Sequence, residues 1–435
     1  MNPKCPIHAD FDPFSDEFLA DPFPIMAANE EPIFYAPSID YYVVTRYEDI
    51  EAIFLDHETY SAAAAQLPLV ALDPAAVQIL REDGYKPQPS MVSLDPPAHR
   101  RLRNPTVRAF TPRRVREMEP KIRKIVAQLL DEIDPSQPFD IVSALAFPLP
   151  ATVVFELLGI PETHWGQLKE WCGDRASLTF GRPEPAEQVE NARGLVAYRS
   201  FLREFVAERN SEDKATRTDD FTTALLAIHD EDPEKLELGE IVSILFSLTL
   251  AGHETTHYLI GNLLRNLLAD RELWQSLVDD PSLIPNAVNE MLRYDTSVAV
   301  WRRMTTKPTT LGGVELPEGA KLYLWLAAAG RDTTLFPEPD KFDIHRENAT
   351  STLAFGKGVH YCLGEALGKL EARIALEGVL TRFPNLQLVE DQTLTFPTNI
   401  AFRGPKALWV HLEQVIQRNG LPEPEGLAGP LAEPV

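Results

Sequence analysis

Apolar side chains recur every three or four residues along most of this chain, the spacing that places them on one face of an α-helix. Thr111 and Pro112 form a typical helix start, with threonine as the N-cap and proline in the first turn. Helices therefore dominate the predicted fold. They are expected over Asp16–Glu31, Tyr47–Leu55, Pro112–Ile133, Val142–Leu158, Glu162–Leu178, Glu184–Asn210, Asp219–His229, Leu238–Leu268, Arg271–Val278, Ile284–Arg293 and Glu365–Leu380.

Short runs of β-branched and aromatic residues predict a small amount of sheet. These runs are Ile33–Tyr35, Tyr41–Val44, Val298–Met304 and Lys321–Trp325. Gln66–Met91 contains four prolines and one glycine around a short helical patch. We expect a long loop there, of the kind that often carries function. A proline-rich meander is expected over Phe336–Arg346. The expected fold class is mainly α with a minor β region.

The formal net charge of −24 over 435 residues argues against nucleic acid and anionic membranes as partners. The N-terminus lacks the apolar stretch of a signal peptide. The longest apolar run, Ile241–Gly252, is too short to span a bilayer and is predicted to be a buried helix. Cys5, Cys172 and Cys362 are scattered and imply no disulfide framework, so a cytoplasmic location is expected.

The composition changes near residue 419, after which four prolines and three glycines fall within the remaining residues. A segment of this composition cannot bury enough apolar surface to fold alone. We therefore predict one domain over residues 1–418 and a tail or linker over residues 419–435.

The chain is organised around Phe355–Gly364, which contains three glycines and one cysteine directly before a predicted helix. Glycine allows unusual backbone angles and close approach to a flat ligand. A cysteine at a helix N-terminus meets free N–H groups and the positive end of the helix dipole, which favour the thiolate. A lone cysteine is more often a buried structural residue. A thiolate held by N–H donors beneath a flat group would instead suit an axial ligand to haem iron.

This pattern, Phe-Gly-x-Gly-x-His-x-Cys-x-Gly, resembles the haem-binding loop of the cytochrome P450 family at every fixed position. The resemblance implies the fold of that family, with haem b held between a long distal helix and the cysteine loop. It also implies roles for three residues of the loop. Cys362 would ligate the iron, Phe355 would pack near it, and His360 would reach a haem propionate.

The predicted helix Leu238–Leu268 carries a sequence that supports two interpretations. His253-Glu254-Thr255-Thr256-His257 matches the H-E-x-x-H signature of zinc peptidases, with both histidines on one helix face. A catalytic zinc also needs a third protein ligand, and the extended metzincin pattern fails at Ile260 and Leu263. Together with Ala251 and Gly252, the same residues resemble the oxygen-binding groove of cytochrome P450s. A zinc metallopeptidase is therefore the minor alternative.

Residues Glu254 and Thr255 have a physical role in the oxygen-groove interpretation. The two small residues before them open space for dioxygen on the helix face. A threonine hydroxyl can bond the carbonyl four residues earlier and bend the helix. Thr255 would then face bound oxygen, and Glu254 would pass protons inward. Cleavage of a bound peroxide needs both protons, so an acid and an alcohol side by side suit a monooxygenase.

Further residues are assigned by the resemblance alone. Glu290 and Arg293 match the Glu-x-x-Arg pair of the family, whose third partner is normally an arginine. Lys341 stands at that position and cannot copy the planar guanidinium, so Arg346 is the alternative. Haem propionates need cationic or N–H partners. The resemblance gives this role to His99, Arg103 and Arg303, together with His360, and makes Arg302 the weaker choice.

A basic run is visible without the family. Ten Lys or Arg and two Glu lie between His99 and Ile125, a net charge of +8 in a chain of −24. A solvated face is the default interpretation. We hypothesise that this run docks an acidic electron donor, because the helix at residues 99–110 should lie near the cysteine loop.

The resemblance implies a haem monooxygenase that inserts one atom of dioxygen into a small-to-medium hydrophobic substrate by hydroxylation or O-dealkylation. Electrons would come from a ferredoxin- or flavin-type donor. The donor would be separate or a reductase fused after the tail, as in similar self-sufficient enzymes. The expected substrate-lining segments are Gln66–Met91, Ser177–Gln188, Val298–Val300 and Pro397–Ala401.

Overall fold

A computed structural model of the protein describes residues 5–82, 84 and 89–412. The tail predicted over residues 419–435, and with it the domain boundary at residue 418, lies outside the described residues. Fifteen α-helices occupy the described part of the chain. They are α1 Asp16–Ala20, α2 Phe23–Ala27, α3 Tyr47–Leu55, α4 Pro74–Glu82, α5 Ala98–Ala109, α6 Pro112–Asp131, α7 Pro148–Leu158, α8 Trp165–Phe180, α9 Pro185–Ser211, α10 Phe221–Glu231, α11 Leu238–Leu268, α12 Arg271–Asp279, α13 Ile284–Tyr294, α14 Leu326–Ala329 and α15 Glu365–Arg382.

The mainly helical fold class is confirmed, and prolines account for the largest differences in helix bounds. The single helix predicted over Asp16–Glu31 is wrong, because α1 and α2 are separated at Pro22. Proline removes a backbone donor and cannot continue a helix from the residues before it. Pro148 likewise begins α7, and Val142–Ala146, which precede the N-cap Phe147, form a π-helical turn. The predicted start of α6 is confirmed, since the Arg114 N–H donates to Thr111 Oγ1 at 3.1 Å.

In the described part of the chain, the minor β region has ten short strands in three sheets. They are β1 Ile33–Ala36, β2 Tyr41–Val44, β3 Tyr60–Ser61, β4 Phe139–Asp140, β5 Val300–Thr305, β6 Thr309–Leu311, β7 Val314–Leu316, β8 Lys321–Trp325, β9 Leu386–Leu388 and β10 Trp409–Leu412. The largest sheet has the order β1-β2-β8-β5-β3. β2 and β8 run parallel, and Arg303 on β5 pairs with Leu322 on β8. This sheet therefore fixes which side chains of β5 face the helices.

Helix α11 passes through the main core and has 31 residues, in agreement with the predicted bounds. It begins with a capping box, in which the Glu237 N–H donates to Glu240 Oε2 at 2.8 Å. Most of the apolar run Ile241–Gly252 is buried, as predicted. The exceptions are Ala251, Gly252 and a few partly exposed positions, and these face a cavity or a neighbouring helix. No helix in the described part of the chain has the length and apolar character needed to cross a membrane.

The meander after α14 is tied to α13 by a buried ion cluster. Arg293 donates to both carboxylate oxygens of Glu290, at 2.7 and 2.8 Å. Arg346 Nε donates to Glu290 Oε1 at 3.0 Å, whereas Lys341 contributes only its backbone carbonyl, which accepts from both arginines. The third partner is therefore Arg346. The two guanidiniums satisfy one carboxylate and several meander carbonyls, so the segment that precedes the cysteine loop is held in place.

Candidate active site

The predicted cysteine loop and the predicted oxygen groove line one cavity with an empty volume of about 1590 Å³. Cys362 and Gly364 form part of one wall, where the loop meets α15. Ala251 and Thr255 on α11 belong to the same lining. The structure thus brings together two motifs that lie more than a hundred residues apart in the sequence.

Two glycines of the loop have backbone conformations that other residues rarely adopt. Gly356 and Gly358 have φ angles of +64° and +69°. A Cβ atom on Gly358 would also lie 2.6 Å from the carbonyl oxygen of Phe54. The loop closes through a hydrogen bond in which the Cys362 N–H donates to the Phe355 carbonyl at 3.0 Å. These constraints direct Cys362 to the cavity.

The pKa of the Cys362 thiol is not lowered, although a lowered pKa is expected for a cysteine at a helix N-terminus. Burial raises its pKa, and this effect exceeds the opposing effects of the Gly364 N–H, the Arg103 guanidinium and the Glu365 N–H. The helix terminus by itself therefore does not make a thiolate here. A thiol that coordinates a metal ion is deprotonated by the ion, so this cysteine suits a metal ligand better than a free nucleophile.

Four cationic or N–H side chains converge on the cavity as the sequence predicted. His99 and Arg103 lie one turn apart on α5, and Arg303 and His360 join them in the lining. The rings of His99 and His360 are 4.2 Å apart. Burial, more than the neighbouring cations, lowers the pKa of His99 to about 4 and that of His360 to about 3.

These side chains form no ion pair among the described residues, and Asp95 is the carboxylate whose charge acts on His99 and Arg303. His99 Nδ1 and His360 Nε2 are buried without a hydrogen-bond partner among the described residues. Arg303 is only 2% exposed, forms no ion pair in the described part of the chain, and burial lowers its pKa to about 10. Arg302 faces elsewhere and donates to the carbonyls of Ala65 and Leu67 at 2.9 and 2.8 Å. Of the two arginines, Arg303 is the one that lines the cavity.

The α11 wall has the bond that was expected of Thr255. Its hydroxyl donates to the Ala251 carbonyl four residues earlier, at 2.7 Å. Gly252 has a packing role as well, because a Cβ atom there would lie 2.7 Å from Val154 on α7. The missing side chain therefore allows α7 to approach α11 closely beside the cavity.

Glu254 lies behind this wall, since it does not line the cavity. Its carboxyl is 7% exposed, and burial raises its pKa to about 7. One carboxylate oxygen lies 3.7 Å from His253 Nδ1. Ligand atoms of His253, Glu254 and His257 all lie within 4.8 Å of one another. We call these three residues the histidine cluster.

The peptidase interpretation gains no support from this cluster. A peptidase zinc keeps an open coordination position for the substrate. All three residues of the cluster are buried, with His253 at 0% and His257 at 4% exposure, and none of them lines the cavity. A peptide chain could not reach an ion at this position.

Sequence reasoning missed several residues of the cavity. Met91 and Val298 line it as expected, whereas no residue of Ser177–Gln188 or Pro397–Ala401 is among the described lining residues. Apolar residues of α7, such as Leu157, are there instead.

Glu371 on α15 was also missed. It is 2% exposed and its Oε2 has no described partner. A charged residue on the apolar face of the helix after the cysteine was the available signal.

The residues present fit haem. The cavity has one sulfur donor, an apolar interior, two arginines without a described ion pair and two neutral imidazoles, which match an iron porphyrin with two carboxylates. The unpartnered ring nitrogens of His99 and His360 are the observation that supports this fit most directly. Buried polar atoms are costly unless they find a partner, and haem propionates would provide one.

Comparison with known proteins agrees with this geometry. The sequence model of the cytochrome P450 family matches residues 185–407. Cytochrome P450 107B1 of Saccharopolyspora erythraea is 36% identical over 403 residues, which are 91% of this chain and 96% of that protein. Erythromycin C-12 hydroxylase of the same organism is 36% identical over 351 residues, 80% of this chain and 83% of that protein.

Solved structures give the same result. Cytochrome P450 CREJ in complex with (4-ethylphenyl) dihydrogen phosphate superposes with a TM-score of 0.88 and 38% identity, over 93% of this chain and 100% of that chain. Full-length CYP116B46 of Tepidiphilus thermophilus has a TM-score of 0.88 and 33% identity, over 93% of this chain but 53% of that chain. The chain belongs to the cytochrome P450 family.

This membership establishes the class of chemistry. The protein is a haem b monooxygenase that uses dioxygen, a hydrophobic substrate and a redox partner.

Proposed function

We propose that this enzyme inserts oxygen into a small-to-medium hydrophobic molecule, by hydroxylation or O-dealkylation, above a haem ligated by Cys362. The observation that carries this proposal is the single cavity that has Cys362 in one wall and Thr255 in another. Bound haem supplies an iron centre that activates dioxygen with two electrons. Cys362 Sγ would ligate it, and Phe355 would pack beside it.

The four side chains without a described ion pair would orient the haem. Arg103 and Arg303 would pair with the propionates, and His99 and His360 would donate their ring N–H groups to them. Both imidazoles stay neutral at physiological pH, because burial lowers their pKa. A neutral imidazole still has one N–H donor, so this arrangement satisfies the anion without further buried charge.

Thr255 and Glu254 would handle protons. The Thr255 hydroxyl donates its own hydrogen to Ala251, so its lone pairs are free to accept a hydrogen bond from the cavity side. Glu254 is the adjacent acid, and burial holds its pKa near neutrality, where a carboxyl can both release and regain a proton. Because Glu254 does not line the cavity, its proton must pass through a side-chain rotation or a water molecule.

Thr255→Ala should uncouple the reaction. Without the hydroxyl, protonation at the oxygen site is misdirected and reductant is consumed to make peroxide. We expect product formed per NAD(P)H oxidised to fall by about tenfold, since a positioned proton-transfer group typically contributes 10²–10⁴-fold. Peroxide release and product yield measure this directly. Thr255→Ser keeps the hydroxyl and should keep most of the coupling. Full coupling in Thr255→Ala would remove Thr255 from the mechanism.

The substrate side of the cavity favours a neutral ligand. Leu248, Leu157 and Val298 contribute apolar surface, and the polar groups there are small hydroxyls such as Ser247 and Thr296. The described cations of the lining are those assigned to the propionates, apart from Lys357, which is paired with Glu51 at 2.7 Å. A dianionic substrate would therefore lack a described counterion.

A matched pair of ligands tests this preference. CREJ is known in complex with (4-ethylphenyl) dihydrogen phosphate, so 4-ethylphenol and its phosphate ester provide one apolar body with and without the charge. We expect 4-ethylphenol to shift the Soret band of the haem-loaded protein and to bind at least about tenfold more tightly than the ester. Tighter binding of the ester would contradict the proposed substrate class.

The electron donor would dock on α5 beside the cysteine loop. Arg103 donates to the carbonyl oxygen of Tyr361, which joins this helix to the loop. Half of the basic run is neutralised, by the ion pairs Arg101–Glu240, Arg113–Glu117, Arg114–Asp219, Lys121–Glu156 and Arg123–Glu119. Arg100 and Arg108 form no described ion pair, and Val107, next to Arg108 in the sequence, is 45% exposed. This face suits an acidic ferredoxin- or flavin-type protein, separate or fused after residue 418.

Arg108→Glu should slow electron delivery. We expect the second-order rate of haem reduction by an acidic ferredoxin to fall about tenfold at low salt, because the attracting field is reversed at the docking face. The difference should shrink at high ionic strength. Arg113→Glu makes the same charge change at a residue already paired with Glu117, and should have the smaller effect. Equal rates for both variants would contradict docking on α5.

A cytoplasmic location suits this donor chemistry. Cys5, Cys172 and Cys362 are all free thiols. Free thiols are typical of reducing compartments, where reduced electron donors are also available.

A further inference from the structure

We propose that the histidine cluster, His253, Glu254 and His257, is a binding site for one Zn²⁺ ion or a similar divalent transition metal. The cluster lies on α11 outside the cavity that fits haem. The monooxygenase chemistry gives no role to the two histidines of the H-E-x-x-H motif, and the metal site would account for them. Glu254 is also part of this site, although it already has a proposed role in proton transfer. Its ligand atoms lie within 4.8 Å of one another.

The ligand atoms of the three side chains need to move only a short distance to coordinate one ion. Zinc binds nitrogen and oxygen at about 2.0–2.2 Å, so neighbouring ligands of a tetrahedral ion are roughly 3.3 Å apart. His253 Nδ1 and Glu254 Oε1 are already 3.7 Å apart. The histidines lie one helical turn apart, and their ring centroids are separated by 5.2 Å. Rotation of the rings about their side-chain bonds would have to close the remaining separation, from at most 4.8 Å to roughly 3.3 Å.

The hydrogen bonds of the cluster also indicate a missing partner. His253 is fully buried, and neither of its ring nitrogens has a hydrogen bond of good geometry among the described residues, although the Phe147 backbone lies close enough to favour the protonated ring. His257 Nδ1 lies 3.3 Å from the carbonyl oxygen of His253. Because a carbonyl can only accept, Nδ1 carries the hydrogen and Nε2 carries the lone pair. Histidines that bind metals usually have this arrangement, with the other ring N–H on a carbonyl.

The donor set selects the class of metal. Two imidazole nitrogens and one carboxylate suit zinc and its neighbours in the first transition row. Magnesium and calcium prefer oxygen ligands and are excluded. Phe147 packs against both histidines, with ring centroids at 4.6 and 5.3 Å, and closes the site to bulk solvent.

One nearby charge opposes the metal. The Lys169 ammonium lies 5.8 Å from the centre of the Phe147 ring. The pKa of His253 is lowered mainly by burial, and further by the charges of His257 and Lys169. A cation that disfavours a protonated His253 also disfavours a metal ion bound there. Lys169→Met keeps the length of the side chain and removes the charge, so this variant should bind zinc more tightly than the natural protein.

Zinc binding would also act on the reaction, and this consequence rests on the proposed role of Glu254. A carboxylate that ligates zinc cannot carry a proton to the oxygen site. Zinc should therefore slow coupled turnover, and removal of the ion by EDTA should restore it. Zinc binding without any change in turnover would leave the metal site in place and contradict the proton role of Glu254.

The test begins with the haem-loaded natural protein. It is incubated with Zn²⁺, passed over a desalting column and measured for zinc content. We expect about one retained equivalent, with an X-ray absorption spectrum at the zinc edge that shows two imidazoles. His253→Gln and His257→Gln should each lose this equivalent. His164→Gln is the control, because this histidine is exposed outside the cluster and its loss should leave the bound zinc unchanged.

Two outcomes would overturn the proposal. In the first, the natural protein retains no more zinc than the haem-free buffer control. This result does not depend on how the variants fold. The other is retention of the full equivalent by both cluster variants. Loss of zinc in His164→Gln alone would identify a surface site and would likewise overturn it.

Discussion

Replacement of Cys362 by serine should abolish the thiolate signature of the haem and reduce turnover by at least about 100-fold, comparable with loss of a catalytic group. The cysteine lies in the cavity wall where the loop enters α15. Thiolate ligation donates electron density to the iron and favours cleavage of the O–O bond. A serine hydroxyl has nearly the same size but is a much weaker donor. The dithionite-reduced, carbon monoxide-bound spectrum should lose its strongly red-shifted Soret band.

Two further cysteines provide controls for this experiment. Cys172 is fully buried near the Tyr198 hydroxyl, and Cys5 lies in a partly exposed segment. Cys172→Ala and Cys5→Ser should both keep the red-shifted band and the turnover, although the first will lower stability by leaving a small cavity. Retention of the band in Cys362→Ser would show that a different residue ligates the iron.

Glu290→Gln should destabilise the fold by about 3–5 kcal/mol, as expected when one partner of a buried ion pair is removed. Glu290 and Arg293 are 0% exposed in their side chains, and Arg346 is 7% exposed. The amide would leave two buried guanidiniums without a counterion. Because these arginines hold the meander through its carbonyls, we also expect weaker haem retention. Thermal unfolding and the haem content of the purified protein measure both effects.

Glu190→Gln makes the same chemical change at a pair that is exposed on both sides. Arg193 lies 2.8 Å from Glu190 Oε1, and the two side chains are 62% and 68% exposed. Exposed pairs contribute about 0–1 kcal/mol, so this variant should unfold close to the natural protein. If both variants were equally stable, burial of the Glu290 cluster would have no energetic consequence, and its proposed role in holding the meander would be wrong.

The local patterns of the sequence were sufficient for most helices. The bounds of α3 and α11 agree with the prediction, because each has a continuous apolar face and clear end signals. The prediction failed over Asp16–Glu31, where the helical spacing continues through Pro22 although the backbone cannot. Local propensity decides these cases because helix hydrogen bonds form between residues close in sequence.

Other assignments needed the tertiary structure. Lys341 and Arg346 were equal candidates for the third partner of Glu290, and the folded meander selects Arg346. From the sequence, Glu254 is expected beside Thr255 in the cavity. Because each residue turns a helix by about 100°, the Glu254 carboxyl lies behind the cavity wall instead. The expected pocket segments Ser177–Gln188 and Pro397–Ala401 were wrong for the described lining, since packing of α7 against α11 brings Val154 and Leu157 there instead.

By itself, the sequence determined the helical class, the cysteine loop and the oxygen-groove motif, because each is written in consecutive residues whose spacing has a direct physical meaning. Only the tertiary structure decided that the two motifs face one cavity and that Arg303 rather than Arg302 lines it. It also showed that burial raises the pKa of Cys362 and that His253 lacks a hydrogen bond of good geometry among the described residues. Burial and unpaired polar atoms depend on residues distant in sequence, and no local pattern records them.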